Sequence, residues 1–203
     1  MEEKKTIRKD LIGKRDSLNT NVWIENSNII QRNIMRSELY NSADCILCYA
    51  DFHGEVGTLT IIENALMSGK HIFLPKVVEN FIEARMEFYE VFSTNELIGG
   101  YKGIMEPTGN VERVFDYEAY KDKNVLMLVP GVAFSKDGYR LGYGKGYYDH
   151  YLCDKPNILK CGLCFSMQII DDLPVNENDV KMDMIISERT SFEEINKYIL
   201  IRG

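Results

Sequence analysis

The sequence predicts an α/β fold: an open, mainly parallel β-sheet with helices on both faces, in a Rossmann-like three-layer arrangement. Two observations predict it. Short apolar runs of strand length alternate along the chain with longer segments in which apolar residues recur at helical spacing. The 203 residues are 45% hydrophobic and 27% charged, the composition of an ordinary globular domain, and we assign residues 1–203 to a single one.

The predicted helices follow from apolar spacing and from capping residues. Ile7, Leu11 and Leu18 share one face of the first helix, and Thr58 and Gly69 suit the start and end of the third. We expect helices over residues 4–18, 22–39, 58–69, from residue 147 onwards, and 192–201.

The predicted strands are apolar runs bounded by turn residues. They cover residues 43–50, 71–78, 86–92, 124–130, 158–165 and 184–187, whereas residues 94–110 are predicted to be irregular. Because strands and helices alternate, the strands are expected to run mainly parallel. Ligands of such sheets bind beyond the carboxyl ends of the strands, where we expect the loops 51–57, 75–80 and 130–146 to meet.

Charge and hydropathy argue against two classes of partner. The net charge is −7, whereas nucleic-acid-binding proteins present a basic face. The first residues carry no apolar signal region, and no apolar run is long enough to cross a membrane. We therefore expect a cytoplasmic protein that binds a small molecule, with any anionic ligand held by a local cluster of positive charge.

Two cysteine pairs have the spacing of zinc ligands, Cys45 with Cys48 and Cys161 with Cys164. Both pairs lie in predicted buried strands, where residues three apart point to opposite faces. Such pairs cannot close a tetrahedral metal site unless the strands break. The sequence therefore favours buried, reduced cysteines.

A basic, glycine-rich loop follows the apolar strand that ends at residue 130. Gly142, Gly144 and Gly146 alternate beside Arg140 and Lys145, and a helix is predicted to follow. This order favours an anion, because glycine admits a phosphate close to the backbone and a helix start is positive. The spacing matches neither the P-loop nor the Rossmann fingerprint, so an ordinary glycine-rich turn remains the alternative.

The chain offers no covalent catalyst but several charged candidates. It lacks a serine elbow, and of its three histidines only His53, in a loop at the sheet edge, is a candidate site residue. Lys4 and Arg8 share a helix face, which is either a solvated surface or an anion contact.

Three carboxylates are candidate magnesium ligands: Asp149, Asp179 and Asp183. Loop carboxylates more often face solvent or form turns. Magnesium, however, needs only one or two carboxylates in addition to phosphate oxygens. Phe52, Phe134, Tyr147 and Tyr148 are core aromatics or the wall of a pocket for a flat ring.

The glycine-rich loop lies inside a longer motif, Pro130-Gly-Val-Ala-Phe followed by Asp137-Gly-Tyr-Arg-Leu-Gly-Tyr-Gly-Lys-Gly-Tyr-Tyr-Asp. This motif closely resembles the signature of 5-formyltetrahydrofolate cyclo-ligase, also called methenyltetrahydrofolate synthetase. Weaker motifs in the same order extend the resemblance over nearly the whole chain: Lys4-Lys-Thr-Ile-Arg-Lys, Gly54-Glu-Val-Gly-Thr, Gly103-Ile-Met-Glu-Pro and Leu173-Pro-Val-Asn-Glu-Asn-Asp-Val-Lys-Met-Asp.

The resemblance implies that ATP and 5-formyltetrahydrofolate are converted, with Mg²⁺, to 5,10-methenyltetrahydrofolate, ADP and phosphate. ATP phosphorylates the formyl oxygen, and N10 of the folate then displaces phosphate. Both nucleophiles belong to the substrates, so the protein mainly positions groups and neutralises charge. The family resemblance also implies a monomer.

The resemblance assigns roles to individual residues. The catalytic residues are Lys145, nearest the transferred phosphoryl group, and Arg140. ATP is expected to contact Lys4, Lys5, Arg8, Arg140, Leu141, Gly142, Tyr143, Gly144, Lys145, Gly146, Tyr147 and Tyr148. The folate is expected to contact Phe52, Glu55, Gly57, Met86 and Tyr147, and the metal Asp149, Asp179 and Asp183.

Two positions depart from the family pattern. Gly57 stands where the family usually has an acidic residue, so either Glu55 takes the folate contact or the hold on the pterin is looser. Tyr143 stands where many members have arginine, which predicts weaker nucleotide binding. Two alternatives remain open: a folate- or nucleotide-binding protein without turnover, and an enzyme related to sugar-phosphate isomerases or deaminases.

Overall fold

The computed structural model describes residues 2–79 and 84–202. Within them the α-helices are α1 (Glu2–Asp16), α2 (Thr20–Arg36), α3 (Glu38–Asn41), α4 (Leu59–Met67), α5 (Tyr117–Tyr120), α6 (Tyr147–Leu152) and α7 (Phe192–Arg202). The strands are β1 (Cys45–Leu47), β2 (His71–Glu79), β3 (Ala84–Glu90), β4 (Ile98–Gly99), β5 (Met105–Glu106), β6 (Val125–Pro130), β7 (Ala133–Ser135), β8 (Arg140–Leu141), β9 (Leu159–Leu163), β10 (Ile169–Ile170) and β11 (Met184–Ile186).

The central sheet has, over the described ranges, six strands in the order β11-β9-β6-β1-β2-β3. All neighbours pair in parallel except β2 and β3, which form an antiparallel pair at one edge. The residues that join β2 to β3, 80–83, lie outside the description. The predicted α/β class, with a mainly parallel sheet, is confirmed, whereas the domain bounds 1–203 stay a prediction.

Helices cover both faces of the sheet, because its strands alternate apolar side chains between two cores. Ile46 and Cys48 pack with helices α2, α3, α4 and α7 on one face. Cys45 and Leu47 pack with α5 and α6 on the other. Cys161 and Cys164 divide between the faces in the same way, so the predicted buried cysteines are confirmed.

A second small sheet, β10-β7-β8, occupies a stretch that the sequence predicted as loop. Phe134 is fully buried at its centre. A Cβ on Gly131 would lie 2.6 Å from the Phe134 ring, and one on Gly162 would overlap the same ring. The glycines therefore let the ring enter the core and bring β7 and β8 beside the main sheet. Helix α1 packs on this sheet through Leu11.

Two helix boundaries differ from the prediction for local reasons. The helix predicted over 22–39 breaks at Ser37, whose hydroxyl donates to the Ile34 carbonyl (2.6 Å) and accepts from the Tyr40 amide (3.4 Å). Thr58 precedes α4 but does not cap it through its side chain, because its hydroxyl donates to the Tyr49 carbonyl instead.

The segment predicted as irregular contains short ordered pieces. Strands β4 and β5 pair across a tight 3₁₀ turn at Tyr101–Gly103. Across the described parts of the chain, no helix combines the length and the apolar character needed to cross a bilayer.

Candidate active site

A cleft of about 1050 Å³ opens at the carboxyl ends of β1, β2 and β6. Its walls come from α1, the loop after β1, strands β2 and β3, the turn at 101–106, the glycine-rich loop and residues 176–180. Residues of all three predicted loops border the cleft, but residues 75–79 of the predicted 75–80 loop belong to strand β2, and Asn80 lies outside the described residues.

The glycine-rich loop needs its glycines where a side chain would obstruct it. Gly144 and Gly146 have φ of +100° and +69°, in the left-handed region that disfavours other residues. A Cβ on Gly142 would lie 2.7 Å from Nη1 of Arg140. The loop therefore keeps bare backbone next to a buried guanidinium.

Cations from distant parts of the chain converge on this loop. Arg8 on α1 donates from Nε to the Gly142 carbonyl (2.8 Å), and Lys4 pairs with Asp179 (2.7 Å). Arg140 pairs with Asp149 (2.9 Å), yet its buried Nε has no hydrogen-bond partner. Buried donors are rarely left unsatisfied, so this atom fits an acceptor supplied by a ligand.

Lys145 lies at the mouth of the cleft. Its side chain is exposed, and among the described residues it forms no ion pair. It therefore differs from Lys4 and Arg140, whose charges are already balanced by aspartates.

Two carboxylates face the cleft close to these cations. Asp149 accepts from Arg140 and from the Val180 amide (3.3 Å). Asp179 accepts from Lys4 and from the Asn176 amide (2.8 Å). Nowhere in residues 2–79 and 84–202 do three or more His, Cys, Asp or Glu side chains form a metal cluster. The donor set therefore fits a magnesium ion only in the mode that takes one or two carboxylates with phosphate oxygens.

Glu55 is a buried acid at the inner end of the cleft. Only 6% of its surface is exposed, and its carboxylate accepts a hydrogen bond from the Phe52 amide (3.1 Å). Burial raises the pKa of Glu55 from 4.5 to about 7, although the positive charge of Arg15 opposes the rise. Its backbone is held by Trp23, which donates to the Glu55 carbonyl (2.8 Å).

Aromatic and apolar side chains complete the lining. Phe52, Met86, Tyr147 and Tyr148 all border the cleft. The Arg140 guanidinium lies 5.1 Å from the centre of the Tyr148 ring, and burial raises the pKa of Tyr148 well above its ordinary value. A flat ligand thus meets a mostly apolar wall with the buried acid Glu55 at the inner end.

Three predicted site residues lie elsewhere. Lys5 is 78% exposed and near Glu2, because it is one residue away from the inward face of α1 that carries Lys4 and Arg8. Gly57 packs beside Trp23, and its amide donates to Ser27 (3.1 Å). It is not among the residues that border the cleft, and the looser pterin hold stays a prediction.

Asp183 is the third. It pairs with Lys160 (3.1 Å) and accepts from the Lys160 amide (2.7 Å), at the end of the sheet away from the cleft. Its side chain is thereby committed to joining β9 to the segment before β11. Of the aromatic candidates, Phe134 is a core residue and does not border the cleft, whereas the other predicted residues, including His53, do.

Several residues beside the cleft were missed by the sequence analysis. Arg15, on the last turn of α1, is 2% exposed and contacts Tyr143. It follows Arg8 by seven residues, two helical turns, and that spacing is the signal that would have found it. Lys102 and Glu106 border the cleft from the turn at 101–106. Glu106 belongs to the Gly103-Ile-Met-Glu-Pro motif, which was the signal that could have found it, whereas no motif includes Lys102.

The cleft at the carboxyl edge of this α/β sheet combines a basic glycine-rich loop, two paired aspartates and a buried acid, which suits a protein that binds an anion beside a flat ring. A family model described as the 5-formyltetrahydrofolate cyclo-ligase family matches residues 1–188, and the chain belongs to that family. The resemblance carried by the glycine-lysine-tyrosine motif is thereby confirmed.

Individual relatives agree with the family. The chain is 35% identical over 146 residues to a probable 5-formyltetrahydrofolate cyclo-ligase of Schizosaccharomyces pombe, covering 66% of this chain and 69% of that one. It is 31% identical over 199 residues to a probable cyclo-ligase of Caenorhabditis elegans, covering 92% and 91%. The solved structure of Aquifex aeolicus 5,10-methenyltetrahydrofolate synthetase superposes with a TM-score of 0.78 at 31% identity, covering 93% and 91%.

Proposed function

We propose that this protein converts 5-formyltetrahydrofolate to 5,10-methenyltetrahydrofolate, using ATP as co-substrate and Mg²⁺, and releases ADP and phosphate. Family membership supports the reaction. The observation that carries the assignment to this cleft is that one continuous space joins the basic glycine-rich loop to the buried Glu55. That arrangement suits a triphosphate at one end and a pterin at the other.

The chemistry explains why the site lacks a nucleophile. A formyl amide is a poor electrophile, and its oxygen is a poor leaving group. Transfer of the terminal phosphoryl group of ATP to that oxygen solves both problems, with ADP departing. N10 then forms its bond to the formyl carbon and loses its proton, and the carbon–oxygen bond breaks to release phosphate. The protein contributes position and charge.

The cations have different roles in this scheme. Lys4, Arg8 and Arg140 bind the phosphates around Gly142 and Gly144. Lys145, which has no ion-pair partner among the described residues, neutralises the charge that develops on the transferred phosphoryl group. Because no ion pair fixes the Lys145 side chain among the described residues, it can move with the phosphoryl group from ATP to the formyl oxygen.

Asp149 and Asp179 would hold the magnesium ion together with phosphate oxygens, and the ion would supply charge neutralisation. Both carboxylates are paired with cations that also point to the phosphate site. Nucleotide binding therefore exchanges partners within one network, with arginine and lysine turning to phosphate and the aspartates to the metal.

Glu55, Phe52, Met86 and Tyr147 form the folate end of the cleft. Glu55 would accept hydrogen bonds from the pterin, and the aromatic and thioether side chains would contact its ring. We further propose a cytoplasmic monomer without nucleic-acid or membrane partners, consistent with the net charge of −7.

The decisive assay follows the absorbance of the methenyl product, with ATP, Mg²⁺ and 5-formyltetrahydrofolate each left out in turn. Product is expected only when all three are present. A protein that binds folate and nucleotide without turnover would give no product, and an isomerase would act on a sugar phosphate and ignore the folate. Either result would refute the proposal.

Two matched pairs of variants test the residue roles. Lys145→Ala is expected to lower kcat by about 10²-fold or more, whereas Lys9→Ala, an equal loss of charge on the exposed side of α1, is expected to retain activity. Asp179→Asn is expected to raise the Mg²⁺ concentration needed for half-maximal rate. Asp183→Asn is expected to leave that concentration unchanged, because Asp183 faces Lys160.

A further inference from the structure

Arg15 is a buried cation that the proposed reaction does not use. It lies at the end of α1 with 2% of its surface exposed. Its Nη2 donates to the Tyr143 hydroxyl and its Nη1 to the Gly131 carbonyl (3.4 Å), and Nε has no partner. Burying a guanidinium costs several kcal/mol unless an opposite charge compensates it, so its neighbours indicate what it is for.

The loop that carries Glu55 packs against Arg15: a Cβ on Gly54, the residue before Glu55, would lie 3.6 Å from Cγ of Arg15. Arg15 and Glu55 interact electrostatically, and no hydrogen bond joins them directly among the described contacts. The Tyr143 hydroxyl accepts a hydrogen bond from Arg15, and both side chains favour the ionised form of Glu55, which opposes the rise in its pKa caused by burial. The Arg15 guanidinium lies 5.7 Å from the centre of the Tyr143 ring.

Tyr143 is 44% exposed and borders the cleft, whereas its hydroxyl is held by Arg15. The rest of the side chain can therefore contact a ligand. The loop that carries Tyr143 thus supplies no positive charge at this position. The charge comes instead from α1, beneath the loop.

We propose that Arg15 and Tyr143 are positioning residues for the folate substrate: the hydrogen-bonded pair lies behind the loop that carries Glu55 and orients that acid toward the pterin. This inference rests on the proposed function for the identity of the ligand. The charge relation among the three side chains does not depend on it.

Other charged and titratable groups also face this cluster. Asp51, on the same loop as Glu55, opposes ionisation of Glu55. Tyr49 and Tyr148 are neutral phenols whose pKa values Glu55 helps to raise. Asp16 acts on Tyr143. For Glu55, burial raises the pKa most, Arg15 opposes that rise, and Asp51 adds to it.

The direct test is to titrate Glu55 in the ligand-free protein by carbon-13 NMR of labelled glutamate, with Glu55→Gln to assign its signal. In Arg15→Met the pKa of Glu55 is expected to rise by at least about one unit, because the compensating charge is lost. Arg15→Lys retains the charge and is expected to restore most of the difference. Tyr143→Phe removes only the hydroxyl and is expected to give a smaller rise.

Lys14→Met is the matched control, since Lys14 is the neighbouring cation on α1 but is exposed and pairs with Asp10 (2.8 Å). It is expected to leave the Glu55 titration unmoved. Should Arg15→Met not fold, Arg15→Lys and Tyr143→Phe decide the question. An unchanged pKa of Glu55 in Tyr143→Phe would refute the role given to the Tyr143 hydroxyl.

The kinetic test separates positioning from mere packing. In Arg15→Met the KM for 5-formyltetrahydrofolate is expected to rise roughly fivefold at pH 7 with kcat changed less than twofold, since raising the pKa of Glu55 from about 7 by one unit lowers its ionised fraction from about one half to about one tenth. The difference in KM between Arg15→Met and the wild type should narrow toward pH 9, where Glu55 is ionised in both proteins. A KM that is raised by the same factor at every pH would overturn the inference.

The two proposals fail separately. If the wild-type protein does not turn over 5-formyltetrahydrofolate, the proposed function is wrong. If it does, and the pKa of Glu55 stays the same in Arg15→Met, only the present inference is wrong.

Discussion

The buried acid of the cleft predicts an unusual dependence of stability on pH. Glu55 has a pKa of about 7 in the folded protein and an ordinary value of 4.5 when exposed, because burial disfavours its charged form. The folded state therefore binds a proton more tightly than the unfolded state. The stability that Glu55 contributes is fully present below pH 4.5 and is lost as the pH rises through 7.

The magnitude follows from the difference between the two pKa values. At about 1.4 kcal/mol per pKa unit, ionising Glu55 removes about 3 kcal/mol of unfolding free energy between pH 4.5 and pH 8. Glu55→Gln keeps an acceptor for the Phe52 amide but has no charge to gain. The variant is therefore expected to gain about 3 kcal/mol relative to wild type over this range, while its KM for the folate rises.

Urea unfolding of both proteins at pH 5, 6, 7 and 8 measures this difference, and comparing the two cancels the titration of every other group. In thermal unfolding the same difference amounts to a relative shift of about 6–12 °C for a chain of this length. Stability curves that run parallel from pH 5 to 8 would show that Glu55 ionises as in water, and the electrostatic argument for the cleft would fail.

Three further outcomes follow from packing and exposure. Gly162→Ala is expected to lower unfolding free energy by about 1–3 kcal/mol, because the added methyl overlaps Phe134; urea unfolding equal to wild type would contradict it. Gly100→Ala displaces the buried carboxylate of Glu106, which organises the turn bordering the cleft, and is expected to raise the KM for folate; unchanged kinetics would mean that the turn does not shape the site. A thiol reagent is expected to label Cys153 rapidly and the four buried cysteines only on unfolding; fast labelling of several thiols would contradict the burial of the two cores.

Local pattern determined much of this protein. Apolar runs bounded by turns located the six strands of the central sheet, because a buried strand appears in the sequence as a short continuous apolar run. Strand geometry also predicted correctly that Cys45 and Cys48 lie on opposite faces of the sheet, because side chains alternate along a strand. The motif around Lys145 identified the family. Its glycines are required locally, because Gly144 and Gly146 adopt positive φ angles within a few residues of each other.

Only the tertiary structure decided which charges meet. Asp179 and Asp183 are four residues apart and look alike in the sequence, yet one reaches Lys4 across 175 positions and the other is held by Lys160. Likewise, nothing near Arg15 in the chain indicates that it contacts Tyr143, 128 residues away. Such pairings depend on how α1 docks against the glycine-rich loop. Docking is set by burial of the whole helix face, a non-local quantity that no single stretch of sequence records.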